Sequence, residues 1–251
     1  MARLVILGTA HAIPDVEHDN THMAVIGNEG VTLVDCSGSP ILRLRQAGLD
    51  TDSVTDLIAT HFHPDHVSGI PLLLMGMWLS GRQAPLRIYG LHHCLERLED
   101  LMDFYQWHKW PGFFPVAFHR LPEQEGIVVL ERSDHRILSS PMRHLVPTIG
   151  LRFEGLPEGR VVCYTSDTEP CPAATHLARG ADVLLHESSG ESVGHSSAAQ
   201  AGQTAADAGV RRLLLIHYPP EPAGRDGLVE SARQVFHGEV ELAHDLMELP
   251  L

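Results

Sequence analysis

Six consecutive residues, His61-Phe62-His63-Pro64-Asp65-His66, put four metal-binding side chains into one short loop. Imidazole and carboxylate are the donors that zinc-type dications accept. Residues Asp56–Thr60 just ahead read as a strand, and side chains alternate along an extended chain. His61 and His63 therefore fall on one side, and the turn at Pro64 brings Asp65 and His66 back toward a neighbouring point. A loop of this kind can serve two adjacent ions. Two dications lower the pKa of a shared water and stabilise negative charge growing on phosphoryl, sulfuryl or acyl oxygens. The chemistry expected is metal-dependent hydrolysis.

Such a loop works only if regular elements hold it. Arg3–Leu7 reads as a short buried strand, and Met23–Ile26 and Val31–Val34 flank Gly27-Asn28-Glu29-Gly30 as a hairpin. Ser39–Ala47 reads as a helix with Pro40 at its first position and Gly48 at its close. Gly69–Leu79 follows the histidine loop as an apolar helix, then Leu86–Tyr89 as a strand and Leu91–Tyr105 as a helix. The second half reads as strands near 127–130, 135–139, 149–154 and 160–164, then a helix near 173–178. A strand at 182–186, a helix at 196–208, a strand at 212–216, a helix at 226–236 and a strand at 239–243 complete it. Each half runs from β-rich to alternating β and α, with no linker or repeat between them. This predicts one α/β domain over residues 1–251, an αββα sandwich of two mixed sheets packed face to face with helices outside.

The His-x-His-x-Asp-His loop resembles the signature of the metallo-β-lactamase superfamily. Further segments resemble its ribonuclease Z-like branch: Leu7-Gly8-Thr9 with Pro14, Leu33-Val34-Asp35-Cys36, His66-Val67-Ser68-Gly69, Ser166-Asp167-Thr168, His186-Glu187, Gly194-His195-Ser196-Ser197 and His217-Tyr218-Pro219. The resemblance spans nearly the whole chain. It implies two divalent ions, one held by His61, His63, His144 and Asp167, the other by Asp65, His66, Asp167 and His217, with Asp167 shared. The donor set suits Zn2+, and Mn2+ or Fe2+ are also accommodated. His144 rests on Pro141-Met142-Arg143-His144 after a strand; its rival is His135, expected at a strand start facing solvent. The resemblance makes Asp65 both a ligand and the group that orients or deprotonates the attacking water. It makes His195 a non-ligand acid for the leaving oxygen, with Glu187 orienting it.

In one respect the chain departs from that branch. Ribonuclease Z proteins that trim tRNA usually carry a Gly/Pro-rich arm between the third metal histidine and the bridging aspartate. Here His144 and Asp167 stand about two dozen positions apart, room for two strands and a turn. The formal net charge of −14 also disfavours an extensive phosphate-backbone footprint. The expected activity is therefore phosphodiester hydrolysis of a small-molecule substrate. The alternatives are tRNA 3′ endonucleolytic processing and arylsulfatase- or lactonase-type ester cleavage. Nucleic acid is the less favoured partner, and the branch admits a homodimer.

The four cysteines, Cys36, Cys94, Cys163 and Cys171, form no Cys-x-x-Cys pair and read as reduced and mostly buried. No apolar run reaches bilayer length. The Arg3–Leu7 segment is too short for a signal peptide and is interrupted by His11, Pro14 and Asp15, so the expected location is the cytoplasm. Two regions stay open: His11, His18 and His22 in the loop after the first strand, either substrate contacts or scattered loop residues; and the aromatic segment Tyr105–Phe118, either local packing or a substrate wall.

Overall fold

The computed structural model describes residues 2–251. Its first half runs β1 (Arg3–Gly8), β2 (His22–Gly27), β3 (Gly30–Val34), α1 (Pro40–Gln46), β4 (Val54–Ile58), α2 (Pro64–Val67), α3 (Ile70–Leu79), β5 (Leu86–Leu91), α4 (His92–Phe104) and β6 (Val116–Leu121). The second runs β7 (Ile127–Glu131), β8 (His135–Met142), β9 (Thr148–Gly155), β10 (Val161–Tyr164), α5 (Pro172–Ala178), β11 (Val183–Glu187), α6 (Ala198–Ala208), β12 (Arg212–Ile216), α7 (Pro222–Arg225), α8 (Leu228–Arg233), β13 (Glu239–Leu242) and β14 (Glu248–Pro250).

The strands form two seven-stranded sheets, in the orders β14-β1-β2-β3-β4-β5-β6 and β13-β12-β11-β10-β9-β8-β7. Alternation along each strand builds the layers. Leu4 and Ile6 of β1 join Leu214 and Ile216 of β12 in the core between the sheets. Val5 and Leu7 point the other way, into a cluster with Leu44 of α1, Leu73 and Met77 of α3 and Leu98 of α4. Leu213 and Leu215 likewise face Leu177 of α5, Ala205 of α6 and Ala232 of α8. The result is the four-layer αββα sandwich expected from the sequence.

Within the first sheet β3, β4, β5 and β6 run parallel, and within the second β10, β11, β12 and β13 do. Parallel strands leave their C-terminal ends on one edge, where open α/β sheets bind ligands. A charged tie fixes the sheets to each other away from that edge. Asp56 of β4, fully buried, accepts from Arg87 Nε of β5 at 2.7 Å and from Arg132 Nη2, in the β7–β8 turn, at 2.8 Å.

Several elements differ from expectation. β6 is an edge strand with no fully buried residue, and its run Val116-Ala117-Phe118-His119-Arg120-Leu121 groups apolar and polar side chains without a two-residue alternation. The helix expected over 226–236 is shorter, Leu228–Arg233, and a separate turn of helix, Pro222–Arg225, precedes it across Gly227 at φ +83°. The aromatic segment stacks Trp78 on Trp110 at 5.0 Å and packs Trp107, Phe113 and Phe118 onto the outer core. Val116 pairs with Leu86 at the start of β5, the opposite end of these parallel strands from the histidine loop. The segment is therefore packing and does not wall the donor site. All four cysteines are free, and no helix is long and apolar enough to cross a membrane among the described residues.

Candidate metal centre

The histidine loop leaves the C-terminal end of β4, and Asp65 and His66 ride on the single turn of α2 that follows. From the other sheet, His144 follows β8, Asp167 follows β10 and His217 follows β12. The structure thus brings together all seven residues expected as ligands, four from one sheet and three from the other. They form one group of His61, His63, His144 and Asp167 and a second of Asp65, His66 and His217.

Hydrogen bonds leave one nitrogen free on each of four rings. Thr60 Oγ1 donates its only proton to Asp35 Oδ2 at 2.9 Å, so His61 Nδ1, 3.1 Å away, must donate to it. Thr21 Oγ1 donates to the Ala10 carbonyl, so His217 Nδ1 donates to Thr21 Oγ1 at 3.2 Å. His66 Nδ1 donates to Asp35 Oδ2 at 2.8 Å, and His144 Nδ1 to the Gly194 carbonyl at 2.6 Å. The Nε2 lone pairs of these four rings are left pointing inward, and second partners of this kind are what hold ligating histidines in one tautomer.

In the first group, His63 Nδ1 lies 3.1 Å from His61 Nε2 and 3.2 Å from His144 Nε2, and Asp167 Oδ2 lies 3.8 and 3.9 Å from those two Nε2 atoms. A tetrahedral zinc with arms of about 2.0–2.1 Å has edges of about 3.3–3.4 Å, so the spacing fits. In the second group, His66 Nε2 lies 3.6 Å from both Asp65 Oδ2 and Asp167 Oδ1, and His217 Nε2 lies 3.3 Å from Asp167 Oδ2. His66 Nε2 and Asp167 Oδ1 are buried without a hydrogen-bond partner. Buried polar atoms are rarely left so unless something else satisfies them. The residues present therefore fit a pair of dications.

Burial drives the imidazoles of His61, His63 and His144 below their ordinary pKa, leaving them neutral. Burial would also push Asp167 up, but His217 and His66 outweigh it and hold its carboxyl well below the usual range. His66 goes the other way. Burial lowers its basicity, yet Asp167 and Asp35 lift it well above the ordinary value. Those carboxylates are the charge that a bound cation would otherwise balance.

His195 stands beside this set, its ring parallel to His217 with centroids 6.2 Å apart. Its Nδ1 lies 4.0 Å from Asp167 Oδ2 but donates to Glu187 Oε1 at 3.0 Å, so that nitrogen is not free to ligate. The Glu187 bond raises the proton affinity of His195, against the effect of burial. Glu187 is fully buried and also accepts from the backbone N–H groups of Thr168, Ser196 and Ser189. A cavity of about 140 Å³ opens between these groups, lined by His11, Ala12, His63, Asp65, Asp167, Ser189, His195 and His217.

Four supporting groups were not singled out from the sequence: Asp35, Thr60, Thr21 and the Gly194 carbonyl. Asp35 joins three of the site's parts, since it accepts from Thr60 N, Thr60 Oγ1 and His66 Nδ1. Its position inside the quoted segment Leu33-Val34-Asp35-Cys36 was the available signal. Asp35, Ser166 and His217 adopt φ of +59°, +55° and +54°, conformations costly for residues with a Cβ and concentrated at functional sites. Gly194 takes φ +85°, and a Cβ there would stand 2.9 Å from His144 Nδ1. Only glycine lets that carbonyl close on the ring.

His135, the rival of His144, is corrected in its environment. It begins β8, at the end of the strand away from His144, and it is buried rather than solvent-facing. Gly27 makes the room: a Cβ there would meet the His135 ring at 2.7 Å. The early loop divides. His18 is held by Asp15, and His22 lies inside β2 and donates to the Asn20 carbonyl, whereas His11 lines the cavity.

Known proteins share the family and fold of this chain. Residues 32–218 match a family described as a beta-lactamase superfamily domain. A curated relative, ribonuclease Z of Methanothermobacter thermautotrophicus, is 30% identical over an alignment covering 98% of this chain and 96% of its own. Among solved structures, the Bacillus subtilis metallo-beta-lactamase fold protein YhfI superposes with a TM-score of 0.84 at 21% identity, covering 100% of this chain and 99% of that one. Human tRNase Z, short form, gives 0.78 at 22% identity, covering 98% of each.

Proposed function

This chain belongs to the beta-lactamase superfamily and is a metal-dependent hydrolase, and from that premise we propose that it is a binuclear phosphodiesterase for a small substrate. His61, His63 and His144 with Asp167 would hold one dication, and Asp65, His66 and His217 with Asp167 the other. When bound, two such ions supply a water of lowered pKa and positive charge facing the phosphoryl oxygens. The donor chemistry suits zinc, with manganese or iron also accommodated. Asp65, at the cavity wall, orients the attacking water and receives its proton. His195 gives its Nε2 proton to the leaving oxygen. Glu187 keeps the Nδ1 proton of that ring in place and fixes its aim.

The observation that carries the small-substrate half is the connection between His144 and Asp167. It consists of the β9–β10 hairpin and short flanking turns, with no inserted arm. The alignment to the archaeal ribonuclease Z spans 308 positions against 251 residues here, so dozens of aligned positions have no residue in this chain. The name of that relative supports a second reading, tRNA 3′ endonuclease activity, and aryl sulfates are the neighbouring ester class.

The test is turnover of bis(p-nitrophenyl) phosphate, p-nitrophenyl sulfate and a precursor tRNA by protein loaded with zinc or manganese. The expected outcome is metal-dependent cleavage of the diester and none of the tRNA at stoichiometric enzyme. Cleavage of the tRNA would establish the second reading. Inertness toward all three would sink both.

A further inference from the structure

His11 carries a feature that the proposed reaction does not use. Five histidine Nε2 atoms are buried without a hydrogen-bond partner, those of His11, His22, His66, His135 and His186. His22, His135 and His186 are closed inside the fold, and His66 belongs to the second donor group. His11 belongs to neither donor group, yet it lines the cavity that His195 and the ligands share.

Its backbone is built into place. His11 N donates to the Tyr218 carbonyl at 3.1 Å, directly after the donor His217, and Asn20 Nδ2 donates to the His11 carbonyl at 2.7 Å. Ala10 N donates to the Asp19 carbonyl at 2.8 Å, and Ala10 bridges both Asn20 and Tyr218. Gly8 permits this crowding, since a Cβ there would lie 2.1 Å from the Asn20 carbonyl oxygen. The β1 end of the chain thus fixes the His11 backbone beside the cavity, while His195 enters from the loop ahead of α6. A buried imidazole nitrogen without a partner is disfavoured unless a ligand completes it.

We propose that His11 is a substrate-binding residue whose ring turns on ligand binding to bring its covered Nε2–H onto a non-bridging oxygen of a tetrahedral anion seated in the cavity. The proposal rests on the phosphodiesterase reading only for the identity of that anion as a phosphate ester. It gives the site two imidazole donors with separate tasks: His195 on the leaving oxygen and His11 on an oxygen that stays with the transferring group.

The experiment compares wild type with His11→Ala, His11→Gln and His11→Asn, each loaded with zinc. Metal content, Tm, steady-state kinetics on bis(p-nitrophenyl) phosphate and binding of inorganic phosphate by calorimetry are measured. The Gln amide reaches where Nε2 sits, and the Asn amide does not. The alanine variant is expected to keep two ions and the wild-type Tm but to lose about 10-fold in both phosphate affinity and kcat/KM. Gln restores most of each, and Asn restores neither. Unchanged phosphate affinity in His11→Ala, loss of metal, or equal behaviour of Gln and Asn each overturns the assignment. Phosphate binding weakened by His11→Ala in a protein that hydrolyses no diester would keep His11 and reject the activity. A wild type that binds no phosphate would reject both.

Discussion

Asp35 shows how much of the donor set depends on a residue that touches no substrate. Its carboxylate is fully buried and receives the Thr60 amide, the Thr60 hydroxyl and the Nδ1 proton of His66. Through Thr60 it also fixes the tautomer of His61, and Ser166 Oγ donates to the same hydroxyl at 3.0 Å. One side chain therefore sets two ligating rings in different donor groups. Replacing it by Asn keeps the shape and removes the charge, so metal affinity should fall about 10- to 100-fold, read by competition with a chelating dye. Replacing it by Ala strands three buried donors and should cost about 3 kcal/mol in urea unfolding. A D35N protein with wild-type metal affinity would show that His66 needs no carboxylate behind it. The sequence shows Asp35 only as part of the segment Leu33-Val34-Asp35-Cys36 and says nothing of its partners. The histidines announce themselves because four donors fall in six positions, whereas Asp35 meets His66 across 31 positions and only the folded sheet reveals the pair.

At the scale of elements, legibility followed locality. β4 and its loop, the β2–β3 hairpin and α6 are specified by neighbouring residues: an apolar run ending in donors, a four-residue turn, and the Ser197–Gln200 capping box. β6 is set by pairing with β5, a non-local fact, and its residue types carry no two-residue period. The burial of His135 depends on a missing side chain at Gly27, more than a hundred positions away. The charged tie at Asp56 is similar, since it couples β4 to β5 and to the β7–β8 turn. Burial would raise the Asp56 pKa, but hydrogen bonds from Arg87, Thr55 and Arg132 outweigh that and hold it below the usual carboxylate range. A depressed folded pKa contributes stability above the unfolded value of about 3.9, lost as pH falls through the folded one. D56A should therefore lose about 2–3 kcal/mol at neutral pH in urea titration, and the gap from wild type should narrow only below about pH 4. A gap that stays constant into acid would remove the carboxylate as its source.

For the molecule as a whole, the donor residues span the interface between two sheets that otherwise meet through an apolar core. Ions bound there are ligands of the native state alone, so they add stability by mass action, about 2.7 kcal/mol at 100 times Kd. Chelation should lower Tm by about 5–10 °C in a chain of this size while leaving the denaturant slope unchanged. An unaltered Tm would mean that the sheets hold their mutual position without the ions. The formal net charge of −14 is a property of the whole chain. It suits a compact anion drawn in by local positive charge better than a polyanion that must lie along the exterior.

The division of ligands between strands also has a consequence in time. During synthesis the histidine loop is made first, and it waits through β8 and β10 for His144 and Asp167 and through β12 for His217. A nascent chain holding only the loop offers four of the seven donors and no bridging carboxylate. With these seven residues as ligands, metal loading would be a late event that waits for β12, and a ribosome-bound chain halted before β12 should hold its ions far more weakly than the released protein.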